Sequence, residues 1–115
     1  MKRGEVYWAE ITPRSGSEQQ GRRPVVVISH DVFNQMPIWR SIIVVPLSTS
    51  TAQGRRGPSA IALPQGVAGR TKDSVALCHQ VTTQDRSKLT QRIGELNATE
   101  LRQIEGGLRA TMNLT

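Results

Sequence analysis

Hydrophobic positions fall into short runs separated by polar loops until about residue 97, and only then recur at helical spacing. In Glu5–Ile11, Val6 and Trp8 alternate with Tyr7, Ala9 and Ile11, which predicts a strand with two apolar faces and assigns Trp8 to the core. Residues 25–29 are an unbroken Val-Val-Val-Ile-Ser run, the pattern of a central strand buried on both sides. Residues 31–34 predict a short helical turn. The apolar run at 41–47 carries Pro46 near its end, which predicts an edge position or a strand terminus. Further strands are predicted over 59–63, 74–80 and 93–96, with a turn, helical across 85–89, before the last. Residues 13–21, 48–58 and 65–72 read as loops.

At the C-terminus, Leu101, Ile104, Leu108 and Met112 trace one apolar stripe. Asn97 is an N-cap and Glu100 stands three positions later, as in a capping box. Gly106-Gly107 interrupts this helix. Each glycine costs roughly 0.5–1 kcal/mol relative to alanine, so the pair predicts close packing or a bend. Several strands followed by one helix give a single α+β domain over 1–115, built on a small, strongly curled antiparallel sheet.

Composition adds a partner class. The 115 residues carry a net charge of +6, and twelve of the fifteen cations are arginine, a bias that suits planar recognition of phosphate. Residues 32–72 contain no Asp or Glu but hold Arg40, Arg55, Arg56, Arg70 and Lys72. Such a window carries a positive field suited to nucleic acid, or else solvated loop charges. The lone Cys78 permits no intrachain disulfide and reads as a small buried hydrophobe. The N-terminus has no signal-peptide core and no segment reaches membrane-spanning length, so a cytoplasmic protein without membrane contact is expected. Two histidines and one cysteine form no spaced ligand set, so neither a metal nor another cofactor is expected.

The chemistry concentrates where the loop Gly16-Ser17-Glu18-Gln19-Gln20-Gly21-Arg22-Arg23 meets Pro24 and the first valines. Pro24 fixes its own φ and biases Arg23 toward an extended backbone. A guanidinium held at the mouth of a polar loop is suited to gripping a phosphate.

Three ordered blocks carry a resemblance. They are Arg3-Gly4-Glu5-Val6-Tyr7-Trp8; Gly16-Ser17-Glu18-Gln19 running on to Arg23-Pro24-Val25-Val26-Val27-Ile28-Ser29; and Val44-Val45-Pro46-Leu47-Ser48-Thr49-Ser50. With Asp73-Ser74-Val75-Ala76-Leu77, Gln80 and Arg92-Ile93-Gly94, they resemble the MazF/PemK toxins of bacterial toxin–antitoxin pairs over nearly the whole chain. The resemblance implies an SH3-like curled sheet with a C-terminal helix, and a homodimer. It implies metal-independent, sequence-specific cleavage of single-stranded RNA, chiefly mRNA. Neutralisation would come from a cognate MazE-like antitoxin whose acidic C-terminal segment covers the RNA site.

Within that resemblance Arg23 matches the catalytic arginine. Ser48 stands where the family usually carries threonine, with Thr49 adjacent; the alternative for Ser48 is a hydroxyl that caps a turn. Glu18 matches a glutamate proposed for proton transfer, or forms a solvated ion pair with its arginine neighbours. One branch of the family has Arg-Cys-Asp-Gln where this chain has Leu77-Cys78-His79-Gln80. His79 is then either a base active near neutral pH or a half-buried strand histidine. His30 reads as structural or exposed. Ser17, Gln19, Gln20, Gln53 and Gln80 offer base-edge contacts, and Arg22, Arg55, Arg56 and Arg70 backbone contacts. Trp39 reads as the aromatic free to stack on a base. Two other classes remain: a gyrase-poisoning binder of the CcdB type, which the absence of tryptophan after Trp39 disfavours, and a non-catalytic nucleic-acid-binding regulator.

Overall fold

The computed structural model describes residues 1–11, 21–49 and 57–115. Among them the order is β1 (Glu5–Ile11), β2 (Gly21–Val27), α1 (Asp31–Asn34), β3 (Ser41–Ser48), β4 (Ala60–Leu63), β5 (Ser74–Leu77), β6 (Thr82–Asp85), β7 (Leu89–Glu95) and α2 (Ala98–Met112). The strands join in one antiparallel sheet in the order β4–β5–β3–β2–β1–β7, with β6 also on β3. The α+β domain with a curled antiparallel sheet and a terminal helix is therefore as expected.

β2 has the expected burial. Val26 joins Val6, Val45, Leu47, Ala76, Ile104 and Leu108 in the core beneath α2, whereas Val25 and Val27 face Ala9, Ile42, Val44 and Leu89. Val25, Val26 and Val27 are all buried, because alternate residues of a strand serve opposite faces.

Pro46 occupies a different place from the one expected. β3 is a central strand, pairing with β2 through Val25↔Pro46. On its other edge it pairs with β6 as far as Val44↔Thr82 and with β5 from Leu47↔Ala76. Pro46 lies between these ladders, with no register partner on that edge, so a residue without an N–H is tolerated inside a central strand. β6 escapes sequence reading because Thr-Thr-Gln-Asp has no apolar alternation. The strand expected over 74–80 ends at Leu77 and passes into a 3-10 turn, Cys78–Gln80.

In α2, the Asn97 side chain accepts from the Glu100 amide, and the Glu100 side chain accepts from the Asn97 amide. Ile104 and Leu108 are buried, but Met112 is 46% exposed and ends the stripe short of the core. The two glycines differ. A Cβ on Gly107 would lie 2.7 Å from Cys78 Sγ and 2.9 Å from Ile61 Cγ1, whereas one on Gly106 would meet nothing within 4 Å. Close packing thus accounts for Gly107 alone. Burial pushes the Cys78 thiol up to about 11, and Cys78 is the buried hydrophobe expected of it.

These contacts separate two substitutions. Gly106→Ala raises stability by about 0.5–1 kcal/mol through helix propensity. Gly107→Ala overpacks the α2–β4 contact and lowers it by about 1–3 kcal/mol. Thermal or urea unfolding of the two variants checks the opposite signs.

Candidate RNA-binding and cleavage site

An open pocket of about 390 Å³ lies where β2 begins and β3 ends, lined by Trp8, Arg23, Pro24, Leu47, Ser48, Thr49 and Arg70. Sheet register creates it. The β1–β2 ladder pairs Trp8 with Pro24 and Ala9 with Arg23. The β2–β3 ladder ends at Val25↔Pro46, two residues from both Arg23 and Ser48, and so brings the two to the same end of the sheet. Two sites remote in sequence are thereby joined by backbone pairing.

Arg23 is half-buried, and burial pulls its guanidinium below the usual value. No ion pair to it exists among the described residues. A partly dehydrated cation without a carboxylate favours an incoming anion. Arg70 follows the turn Val67–Gly69, is half-buried and likewise lowered by burial, and donates from Nε to Ser74 Oγ at 3.3 Å. Gly94 on β7 lets that turn approach; a Cβ there would lie 2.4 Å from the Ala68 carbonyl oxygen.

Trp8 is not a core residue, contrary to the sequence reading. It is half-buried and forms a wall of the pocket. The β1–β7 register shifts on both sides of the Tyr7–Trp8 pair, and such irregularities re-aim side chains. The guanidinium carbons of Arg22 and Arg70 lie 4.7 and 5.5 Å from its ring centroid. Cation–π contacts of this kind contribute about 0.5–1 kcal/mol at exposed sites. Arg22 also donates to Gln91 Oε1 at 3.1 Å. The sequence pattern marks neither Gln91 nor Trp8 as a site residue, although Trp8 sits in the Tyr7-Trp8 block that carries the resemblance.

The remaining candidates are dispersed. Ser48 is half-buried and Thr49 exposed in the pocket. His79 and Gln80 lie in the turn Cys78–Gln80, outside the pocket lining, with the His79 ring nitrogens buried. His30 caps α1, its Nδ1 accepting from the Val32 amide at 2.9 Å. Trp39 packs on Phe33 with ring centroids 4.6 Å apart, and its Nε1 donates to the Ser41 carbonyl at 2.7 Å; it does not line the pocket. Ser17, Glu18, Gln19, Gln20, Gln53, Arg55 and Arg56 lie outside the described residues. No cluster of three His, Cys, Asp or Glu side chains suited to a metal occurs among the described residues, and no helix among them is long and apolar enough to cross a membrane.

The lack of a carboxylate partner separates Arg23 from Arg92, which pairs with Glu5. Burial raises the Glu5 carboxyl, but Arg92, the Lys2 amide and the Tyr7 hydroxyl outweigh it and hold the group below its ordinary value. Arg23→Met is expected to leave the melting temperature equal or higher, because an apolar side chain fills the same half-buried position. Arg92→Met lowers it at pH 7. A depressed carboxyl pKa contributes stability above the unfolded value of about 4.3 and loses it as pH falls through the folded value. The Arg92→Met deficit therefore shrinks on acidification below that range, as calorimetry across pH 3–7 would read.

The profile of PemK-like, MazF-like toxins of type II toxin–antitoxin systems matches residues 2–112. Endoribonuclease MazF6 of Mycobacterium tuberculosis strain H37Rv is 32% identical over 114 residues, spanning 99% of this chain and 98% of that protein. Endoribonuclease EndoA of Bacillus subtilis strain 168 is also 32% identical, over 99% and 96%. The fold agrees with MazF in a MazE–MazF crystal structure from Deinococcus radiodurans, with a TM-score of 0.78 at 24% identity, covering 100% of this chain and 97% of that one. With the family profile matching residues 2–112 and relatives at 32% identity over 99% of its length, the chain belongs to the PemK-like, MazF-like toxin family.

Proposed function

We propose that this chain is a sequence-specific endoribonuclease toxin that cuts single-stranded RNA, chiefly mRNA, without a metal ion. The observation that carries the reading is the pocket in which half-buried Arg23, lacking a carboxylate partner among the described residues, shares a wall with the Ser48 hydroxyl. The endoribonuclease relatives support this reading over a CcdB-like gyrase poison or a non-catalytic regulator.

The RNA supplies the nucleophile. Its 2′-oxygen attacks the adjacent phosphorus, the bond to the 5′-oxygen of the next nucleotide breaks, and a 2′,3′-cyclic phosphate and a 5′-hydroxyl result. One proton leaves the 2′-hydroxyl and one reaches the departing 5′-oxygen. Arg23 stabilises the charge that builds on the phosphoryl oxygens, where a preorganised cation in a partly dehydrated pocket acts strongly. Ser48 donates a hydrogen bond to the same phosphate, and Thr49 lies beside it. Arg22, Arg70, Arg55 and Arg56 hold the strand, while Ser17, Gln19, Gln20 and Gln80 contact bases. Glu18 is the candidate proton carrier. His79 is assigned a structural role because its ring nitrogens are buried and its side chain does not line the pocket.

The protein is read as a cytoplasmic homodimer neutralised by a MazE-like antitoxin. Support comes from the MazE–MazF assembly of the Deinococcus radiodurans relative and from the cationic pocket, which an acidic segment would cover by charge complementarity.

Purified protein is expected to cleave a long single-stranded transcript in EDTA, with primer extension mapping recurrent sites. Intact RNA across varied transcripts would overturn the reading. Arg23→Ala is expected to reduce single-turnover cleavage by about 100–1,000-fold and Ser48→Ala by about tenfold. Full activity of the Arg23 variant would remove it from the mechanism. His79→Gln leaves the pH–rate profile unchanged; a flattened profile between about pH 5 and 8 would make His79 the base instead.

A further inference from the structure

The proposed chemistry of the pocket concerns phosphate, yet among the described residues its lining includes the half-buried ring of Trp8, with the buried apolar residues Pro24 and Leu47 in the same wall. Phosphate has no use for that surface. A nucleobase does, because its π-face stacks on aromatic rings and is shielded by apolar neighbours. The Trp8 ring stands beside Arg23 and Ser48 in the same cavity. A base stacked there belongs to a nucleotide flanking the phosphate those two residues hold.

The ring is occupied in the structure by two arginine side chains of unequal exposure. Arg70 is half-buried, hydrogen-bonded to Ser74 and carried on a turn packed against Gly94. Arg22 is exposed, and beyond the ring its side chain is held by a hydrogen bond to Gln91, also exposed. Releasing an exposed cation–π contact costs less than stacking a base on the same ring gains. Arg22 also precedes Arg23, so its guanidinium can move from the ring to the RNA backbone and remain near the strand. Arg70 stays as the fixed neighbour.

Resting on the reading of the pocket as an RNA site, we propose that Trp8 is the stacking platform for one unpaired nucleobase next to the scissile phosphate. Arg22 acts as its displaceable cover, so that Trp8 selects a single-stranded segment whose base can leave the helix and enter the pocket. Duplex RNA, whose bases are stacked on one another, cannot supply that face. The device makes Trp8 a determinant of which strands are cut, separate from the charge stabilisation at Arg23.

The test uses an oligoribonucleotide spanning a mapped cleavage site, with a 2′-deoxy sugar at the cut position so that it binds without being cleaved. A single abasic residue is moved along it, and affinity is measured by fluorescence anisotropy for the wild-type chain, Trp8→Leu and Trp8→Phe. At one position flanking the cut, losing the base is expected to weaken wild-type binding about tenfold, to matter less than twofold for Trp8→Leu, and to regain most of its effect in Trp8→Phe. A Trp39→Phe chain, in which Trp8 is the sole tryptophan, is expected to show emission quenched on saturation with the intact oligonucleotide and not with the abasic one at that position. If no position couples to Trp8, or Trp8 emission is the same in the saturated and free states, the proposal is overturned while the nuclease reading stands. If the wild-type chain cuts no RNA, both fall.

Discussion

The antiparallel ladder between β2 and β3 is the interaction on which the site depends. Its hydrogen bonds hold Val25 against Pro46 and thereby bring Arg23 to the same cavity as Ser48, twenty-five positions later in the chain. A slip of β2 by one residue would turn Arg23 to the opposite face, since alternate side chains face opposite sides. Val25 and Val27 serve one core and Val26 the other, so β2 is held between both. Cores that share no chemistry with the site therefore set its geometry.

β3 can serve as the pivot because it changes partners. β6 pairs with its first half and β5 with its last two residues, and Pro46 lies in the interval. The exchange turns the sheet, and the far end of β3 then stands beside Arg70 on the turn after β4. Gly107 closes α2 onto Cys78 and Ile61, and Gly94 admits the Ala68 backbone. At both positions the absence of a Cβ lets one element approach another where any larger residue would force displacement.

The electrostatics separate structural from functional arginines. Arg3 and Arg92 pair with Glu105 and Glu5, and Arg86 donates to the carbonyls of Phe33, Met36 and Trp39. Arg23, Arg22 and Arg70 have no carboxylate partner among the described residues. Their environment is a ring face, a hydroxyl, an amide and partial burial. Such surroundings leave charge available to an anion, whereas an ion pair would consume it. A high arginine content thus serves two purposes in one small domain.

Local patterns carried much of this in the sequence. The valine run announced a doubly buried strand, Asn97 and Glu100 announced the start of α2, and the Arg-Pro junction marked the candidate cation; each depends on neighbours within a few residues. The family blocks linked Arg23 to Ser48 before any pairing was visible. Other features depended on contacts distant in sequence. β6 is polar and becomes a strand because β3 offers it an edge, and Pro46 is tolerated because that edge is vacant at one place. Trp8 reads as core by alternation, since period two reports only which face a residue serves. Where along that face the core ends, and where the pocket with its arginines begins, was decided by the curl of the sheet and the shifted register against β7.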